Sequence, residues 1–117
     1  MRRSVLIVDD SASFRAAARG LLEDEGFTCV GEAADGDEAL RALERTAADI
    51  VLLDIALPGA DGIEIAATIA LQVRPPAVVL ISSRPATVYG RRLAEAQACG
   101  FLAKHELSGA RLASLIA

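Results

Sequence analysis

Residues 50–53 read Ile-Val-Leu-Leu and lead directly into Asp54, so a short apolar run ends in a carboxylate. Similar runs recur at residues 5–8 and 77–81 and, more weakly, at 27–30 and 100–103. Runs that are apolar on both faces are typical of parallel strands that helices cover on both sides of the sheet. The sequence therefore predicts a central sheet of five parallel strands.

Amphipathic stretches separate these runs. Phe14, Ala18 and Leu22 recur at helical spacing, and Gly26 is expected to end that helix in a left-handed conformation. The same pattern predicts four more helices, one opening at residues 35–37, one over 63–70 and closing ahead of 75–76, one over 86–98 and one over 107–116. Five strands that alternate with five helices predict an α/β fold with a doubly wound sheet.

The composition limits the classes of protein to consider. Of the 117 residues 53% are hydrophobic and 24% are charged, and the formal net charge is −4. This length suits one domain, and the hydrophobic content argues against disorder. An acidic balance argues against direct binding to nucleic acid, and the longest apolar run is too short to cross a bilayer. Because the N-terminus does not resemble a signal peptide, we expect a cytoplasmic location without membrane contact.

The two cysteines lie far apart in the sequence. Cys29 and Cys99 are separated by 70 positions, and neither has a neighbour at the spacing of metal ligands. Two free, buried thiols in a reducing compartment are expected, rather than a disulfide or a metal site.

Polar side chains collect where the predicted strands end. In open parallel sheets, ligands bind outside the carboxyl ends of the strands. Any one of these residues has an ordinary explanation, since Asp10 or Ser11 could cap the first helix and a lone lysine is usually a surface charge. A full set at the ends of four strands indicates a functional site instead. Its members are Asp9, Asp10, Asp54, Ser82 and Lys104.

The residue types suggest phosphoryl chemistry. Three crowded carboxylates repel one another, so a proton or a cation must bind. Oxygen ligands suit Mg²⁺, an ammonium and a hydroxyl can hold phosphoryl oxygens, and one carboxylate could itself form an aspartyl phosphate. The chain has no glycine-rich Walker loop and no Ser-His-Asp candidate set, which disfavours nucleotide-binding and hydrolase functions.

Five motifs together resemble the receiver domain of response regulators in two-component signalling, and the resemblance covers essentially the whole chain. It implies one receiver domain over residues 1–117 with a flavodoxin-like (βα)5 fold and strand order 2-1-3-4-5. The stretch at residues 30–36 is similar to receivers that precede helix-turn-helix output domains. The motifs are Val5–Asp10, Asp49–Asp54, Leu57–Gly62, Ile81–Ser83 and Gly100–Lys104.

The resemblance also implies a role for each site residue. Asp54 would accept a phosphoryl group from a sensor histidine kinase or a phosphotransfer protein. Asp10, Asp54 and the backbone carbonyl of Ala56 would bind Mg²⁺ (or Mn²⁺), with Asp9 acting through a coordinated water. The phosphoryl oxygens would be held by Ser82 and Lys104, and Phe101 would occupy the position of the aromatic switch.

Three departures from the family pattern stand out. His105 follows Lys104 where proline is common, so a trans peptide bond is expected, because a cis bond without proline costs about 2.5–4 kcal/mol. Ser82 replaces the commoner threonine and keeps the hydroxyl. Phe101 lacks the hydroxyl of tyrosine, so switching there would depend on packing.

The leading hypothesis is a phosphorylation-controlled switch, not an enzyme, that changes partner binding or homodimerisation through helix 4, strand 5 and helix 5. It would control a transcriptional or other output. One alternative is a degenerate receiver, a binding module independent of phosphorylation. Another is a Mg²⁺-dependent phosphatase, which the lack of a second carboxylate two residues after Asp54 disfavours. No output domain is expected in this chain, which could be stand-alone or part of a longer protein.

Overall fold

Five parallel strands form the central sheet of the computed structural model, which describes residues 3–117. Numbered along the chain, they are β1 (Ser4–Val8), β2 (Thr28–Ala33), β3 (Ile50–Asp54), β4 (Ala77–Ser82) and β5 (Gly100–Ala103). Their order across the sheet is β2-β1-β3-β4-β5, and every neighbouring pair is parallel. The predicted doubly wound sheet with order 2-1-3-4-5 is therefore confirmed.

Helices connect the strands, and polar side chains cap four of them. The caps are Ser11, Asp35, Asp61 and Ser108, each of which accepts a hydrogen bond from a backbone N–H in the first turn of its helix. Such a cap satisfies a donor that has no partner within the helix. The helices are α1 (Ala12–Asp24), α2 (Gly36–Arg45), α3 (Gly62–Ala70), α4 (Arg91–Ala94) and α5 (Gly109–Ile116).

The sheet buries side chains on both faces. In β1, Leu6 and Val8 point to one face, where they pack with the apolar side chains of α2 and α3. Val5 and Ile7 alternate to the other face, where they pack with those of α1 and α5. This two-sided burial explains why the strands read as unbroken apolar runs.

The predicted helix over residues 86–98 is wrong in its extent. A 3₁₀ turn covers Ala86–Val88, and α4 is a single turn over Arg91–Ala94. Between them Gly90 has a φ of 55°, a left-handed conformation that interrupts helical hydrogen bonding. No residue of either short element is fully buried, so packing does not compensate for the break.

Other local expectations fare better. Gly26 has a φ of 96° directly after α1, as predicted for a left-handed stop. The bond between Lys104 and His105 is trans, as expected. α3 ends at Ala70, ahead of the proline pair at residues 75–76, as predicted.

The cysteine expectation is half right. Both thiols are free, but Cys29 is buried on β2 while Cys99 is exposed just before β5. β2 and β5 lie at opposite edges of the sheet. The prediction that both thiols are buried is wrong for Cys99, because Cys99 lies in the turn that enters an edge strand.

Among residues 3–117, no helix has the length and apolar character needed to span a bilayer.

Candidate functional site

The carboxyl ends of β1, β3 and β4 hold three buried polar side chains. Asp9 is 0% exposed, Asp54 3% and Ser82 1%, and within residues 3–117 no other polar or charged residue is buried. Burying a charge without partners costs several kcal/mol, so such groups are rare outside functional sites. This edge of the sheet is therefore the candidate site.

Three carboxylates meet at this edge. Oxygens of Asp9, Asp10 and Asp54 lie within 4.8 Å of one another, with Asp10 on the exposed side. One oxygen of each buried carboxylate accepts a backbone N–H two residues further along the chain. Asp9 Oδ1 lies 2.8 Å from the N–H nitrogen of Ser11, and Asp54 Oδ1 lies 3.1 Å from that of Ala56. These turns leave both Oδ2 atoms directed toward the same space.

Lys104 occupies part of that space. Its Nζ lies 2.6 Å from Asp9 Oδ2 and donates a hydrogen bond of 3.2 Å to Asp54 Oδ2. The contact with Asp9 is a close ion pair, which places the positive charge of Lys104 directly against a buried carboxylate oxygen. Nζ also lies 4.7 Å from the centre of the Phe14 ring on α1, within the range of a cation–π interaction.

The surroundings raise the pKa of both Asp54 and Lys104, which disfavours the charged form of the aspartate and favours the charged form of the lysine. Burial and the charge of Asp9 raise the pKa of Asp54, against the Ala56 N–H and Lys104, which lower it. Burial tends to lower the pKa of Lys104, but the close Asp9 and Asp54 carboxylates outweigh it and raise that pKa. The lysine is therefore charged at neutral pH, while Asp54 is less acidic than an ordinary aspartate.

The donor set fits a divalent cation. Three carboxylates and one ammonium leave a formal charge of −2 in the cluster when all are ionised. The buried Asp9 and Asp54 carboxylates share the single ammonium of Lys104, and all available ligands are oxygens. Mg²⁺ prefers such ligands and usually keeps several waters, which the exposed side at Asp10 would accommodate.

A small hairpin fixes the chain after Asp54. Its two-residue strands, Ala56–Leu57 and Ala60–Asp61, pair antiparallel. Gly62 then donates its N–H to the Ile55 carbonyl at 2.8 Å. A Cβ on Gly62 would lie 2.7 Å from Ile55 Cα and closer still to the Asp54 carbonyl oxygen. The glycine therefore allows the start of α3 to pack directly against the backbone of the site.

Ser82 has partners that the sequence did not predict. Its Oγ accepts the Arg84 N–H at 2.9 Å and lies 2.5 Å from the hydroxyl of Tyr89. The Tyr89 ring lies 6.4 Å from that of Phe101, centre to centre, at an angle of 57°. The only signal for Tyr89 in the sequence is that it is the sole tyrosine, seven residues after Ser82.

The predicted site residues fall into two groups. The carboxylates and Lys104 contact one another directly. Ser82, the last residue of β4, contacts Tyr89 instead. Ala56 is exposed at the rim of the cluster. Phe101 is half-buried on β5, where it packs against the core face shared with α2 and α3.

The chain is similar in sequence to known proteins. Residues 5–117 match the family model described as the response regulator receiver domain. The virulence-factor transcription regulator BvgA of Bordetella pertussis is 36% identical over 106 residues, which cover 91% of this chain and 51% of BvgA. The response regulator UvrY of Escherichia coli is 33% identical over 102 residues, covering 86% and 47%. The chain thus spans about half the length of the curated relatives it matches.

The fold also matches a solved structure. The signal receiver domain of NarL from Mycobacterium tuberculosis superposes on the chain with a TM-score of 0.86. That match has 30% sequence identity and covers 98% of this chain and 97% of the NarL domain. The likeness therefore extends over the whole sheet and its helices.

Proposed function

Because the chain belongs to the response regulator receiver domain family of two-component systems, we propose that it is a signalling switch controlled by phosphorylation of Asp54. The observation that carries this proposal is the buried Asp54 carboxylate beside Asp9, Asp10 and Lys104. This arrangement combines a nucleophile, a cation site and a fixed positive charge. The chain turns over only its own phosphoryl group, so it acts as a switch and not as a true enzyme.

Asp54 supplies the nucleophile. One of its carboxylate oxygens attacks the phosphorus of a phosphohistidine on a sensor kinase or phosphotransfer protein. An O–P bond forms while the P–N bond breaks, and the electron pair of that bond returns to the imidazole. Phosphoryl transfer needs little from a protein beyond positioning and charge stabilisation, which the neighbours of Asp54 supply.

The other residues stabilise the transferred group. Lys104 already contacts Asp54 Oδ2 and can follow the new negative charge onto a phosphoryl oxygen. The Ser82 hydroxyl donates a hydrogen bond to a second phosphoryl oxygen. Asp10, Asp54 and the Ala56 carbonyl would hold Mg²⁺ (or Mn²⁺), with Asp9 acting through a water. When bound, the ion neutralises the acidic cluster and attracts the phosphoryl oxygens.

The output is a change in partner binding. BvgA is described as a transcription regulator, which favours transcriptional control as the purpose of this receiver. We place the responsive surface on α4, β5 and α5, where a homodimer or another protein partner would bind. Phe101 on β5 links that surface to the core.

Intact mass spectrometry tests the proposal. Incubation with acetyl phosphate and Mg²⁺ should add one phosphoryl group, about 80 Da, to the wild-type chain. Asp54→Asn should abolish the gain, while Asp24→Asn, an exposed carboxylate at the end of α1, should leave it intact. Undiminished labelling of Asp54→Asn would refute the assignment. Absence of labelling in the wild type would favour a binding module that works without phosphorylation.

A further inference from the structure

Tyr89 contacts the hydroxyl that the proposed function assigns to phosphoryl binding. Its Oη lies 2.5 Å from Ser82 Oγ, and Ser82 is 1% exposed. The tyrosine is itself half-buried and packs against the core beside Phe101. The direction of a serine hydroxyl proton is set by the partners of its oxygen, and Tyr89 is the one side-chain partner of Ser82 in residues 3–117.

We propose that Tyr89 is a positioning residue that directs the Ser82 hydroxyl proton to the phosphoryl group on Asp54, an inference that rests on the proposed function. A serine hydroxyl has one proton to donate and two lone pairs that accept. The Arg84 N–H occupies one lone pair. If the Tyr89 hydroxyl donates to the other lone pair, the Ser82 proton is left free for a phosphoryl oxygen.

The same accounting describes the state before phosphorylation. Without a phosphoryl oxygen, the Ser82 hydroxyl can instead donate to Tyr89 Oη, because either atom of this pair can be the donor. Arrival of the phosphoryl group then reverses the direction of one hydrogen bond and leaves the Ser82 hydroxyl with partners for its proton and for both lone pairs. The reversal avoids the cost of an unsatisfied buried hydroxyl.

Tyr89 also connects the site to a surface segment. It lies between the 3₁₀ turn Ala86–Val88 and Gly90, and α4 begins at the next residue. Phe101 has no hydroxyl, but its ring contacts the ring of Tyr89. In this chain, the phenol that contacts Ser82 therefore comes from the segment between β4 and α4, not from β5.

Phosphorylation kinetics in a double-mutant cycle test this inference. Tyr89→Phe keeps the ring and removes only the hydroxyl, and Ser82→Ala removes its partner. Loss of one net hydrogen bond in the transition state of phosphoryl transfer corresponds to a change in rate of about 3- to 10-fold. We expect Tyr89→Phe to slow phosphorylation by acetyl phosphate with saturating Mg²⁺ by that factor. In the Ser82→Ala background the same substitution should have no further effect.

Two controls separate positioning from a general loss of structure. Val88→Ala alters the exposed neighbour of Tyr89 and should leave the rate unchanged. The midpoint of Mg²⁺ binding, followed by thermal stability, should be the same in Tyr89→Phe and wild type, because within residues 3–117 the Tyr89 hydroxyl is hydrogen-bonded to Ser82 and to none of the three carboxylates.

The outcomes distinguish this inference from the function on which it rests. An unchanged rate for Tyr89→Phe, or an equal loss in the wild-type and Ser82→Ala backgrounds, overturns the role of Tyr89 while phosphorylation of Asp54 stands. A wild-type chain that gains no phosphoryl group overturns both.

Discussion

The buried position of Asp54 lowers the stability of the folded chain. Burial and the Asp9 charge favour its neutral form, so its pKa in the folded chain is raised. The unfolded chain imposes no such penalty. At a pH above the raised pKa, this difference lowers the free energy of unfolding.

Asp54→Asn should therefore stabilise the protein at pH 7, because the amide removes the buried charge while Lys104 keeps its contact with Asp9. A raised folded pKa means that stability is gained as the pH falls through it, so the advantage of the mutant should shrink toward pH 4. Urea unfolding at pH 4, 5, 6 and 7 measures the difference. Asp24→Asn should show no such trend, and a mutant less stable than wild type at pH 7 would contradict the explanation.

The sequence predicted the residues of the acidic cluster but not the partner of Ser82. Asp9, Asp10 and Asp54 follow the strands that position them, so the strand pattern alone brings them to one edge. Tyr89, which contacts Ser82, lies next to Gly90, where the helical conformation is interrupted. Hydrophobic periodicity reports neither that interruption nor a hydrogen bond between two side chains.

At the scale of elements, the start of α3 packs tightly against the backbone of the site. Gly62 begins α3 directly against the backbone of Asp54 and Ile55. Backbone atoms cannot move away as a flexible side chain can. The position of α3 is therefore coupled to the position of the Asp54 carboxylate.

Gly62→Ala should lower the free energy of unfolding by about 1–3 kcal/mol, the usual cost of overpacking a well-packed region. The added methyl would also displace the Asp54 backbone and should slow phosphorylation. Gly20→Ala is the matched control, since a Cβ there meets no atom within 4 Å and Gly20 lies inside α1. That control should be stabilising by about 0.5–1 kcal/mol in urea unfolding. Equal effects of the two substitutions would argue against tight packing at Gly62.

Element boundaries were predictable where burial and capping agree. Asp35 and Ser108 open α2 and α5 near the positions that the sequence indicated, and both helices bury an apolar face. The segment over residues 86–98 has neither a side-chain cap nor a fully buried residue at its two short helical elements. Local conformation there is decided by Gly90, and the predicted long helix does not form.

At the scale of the whole molecule, the sheet order concentrates charge at one edge. β1 and β3 are neighbours, so their terminal carboxylates converge although more than 40 residues separate Asp9 from Asp54. The cluster alone carries a formal charge of −2, within a chain whose net charge is −4. Repulsion within the cluster opposes folding, and a cation that binds only the folded arrangement relieves it.

Mg²⁺ should therefore stabilise the folded chain without any phosphoryl donor. At ten times its dissociation constant, a ligand specific for the folded state adds about 1.4 kcal/mol, which for a domain of this size raises the melting temperature by several degrees. Asp10→Ala should abolish this response, and because Asp10 is exposed, the substitution itself should cost the apo fold little. Asp37→Asn, an exposed carboxylate at the start of α2, should leave the response intact. Equal melting temperatures of the wild type in Mg²⁺ and in chelator would show that Lys104 alone balances the carboxylates and that the cluster does not bind the cation.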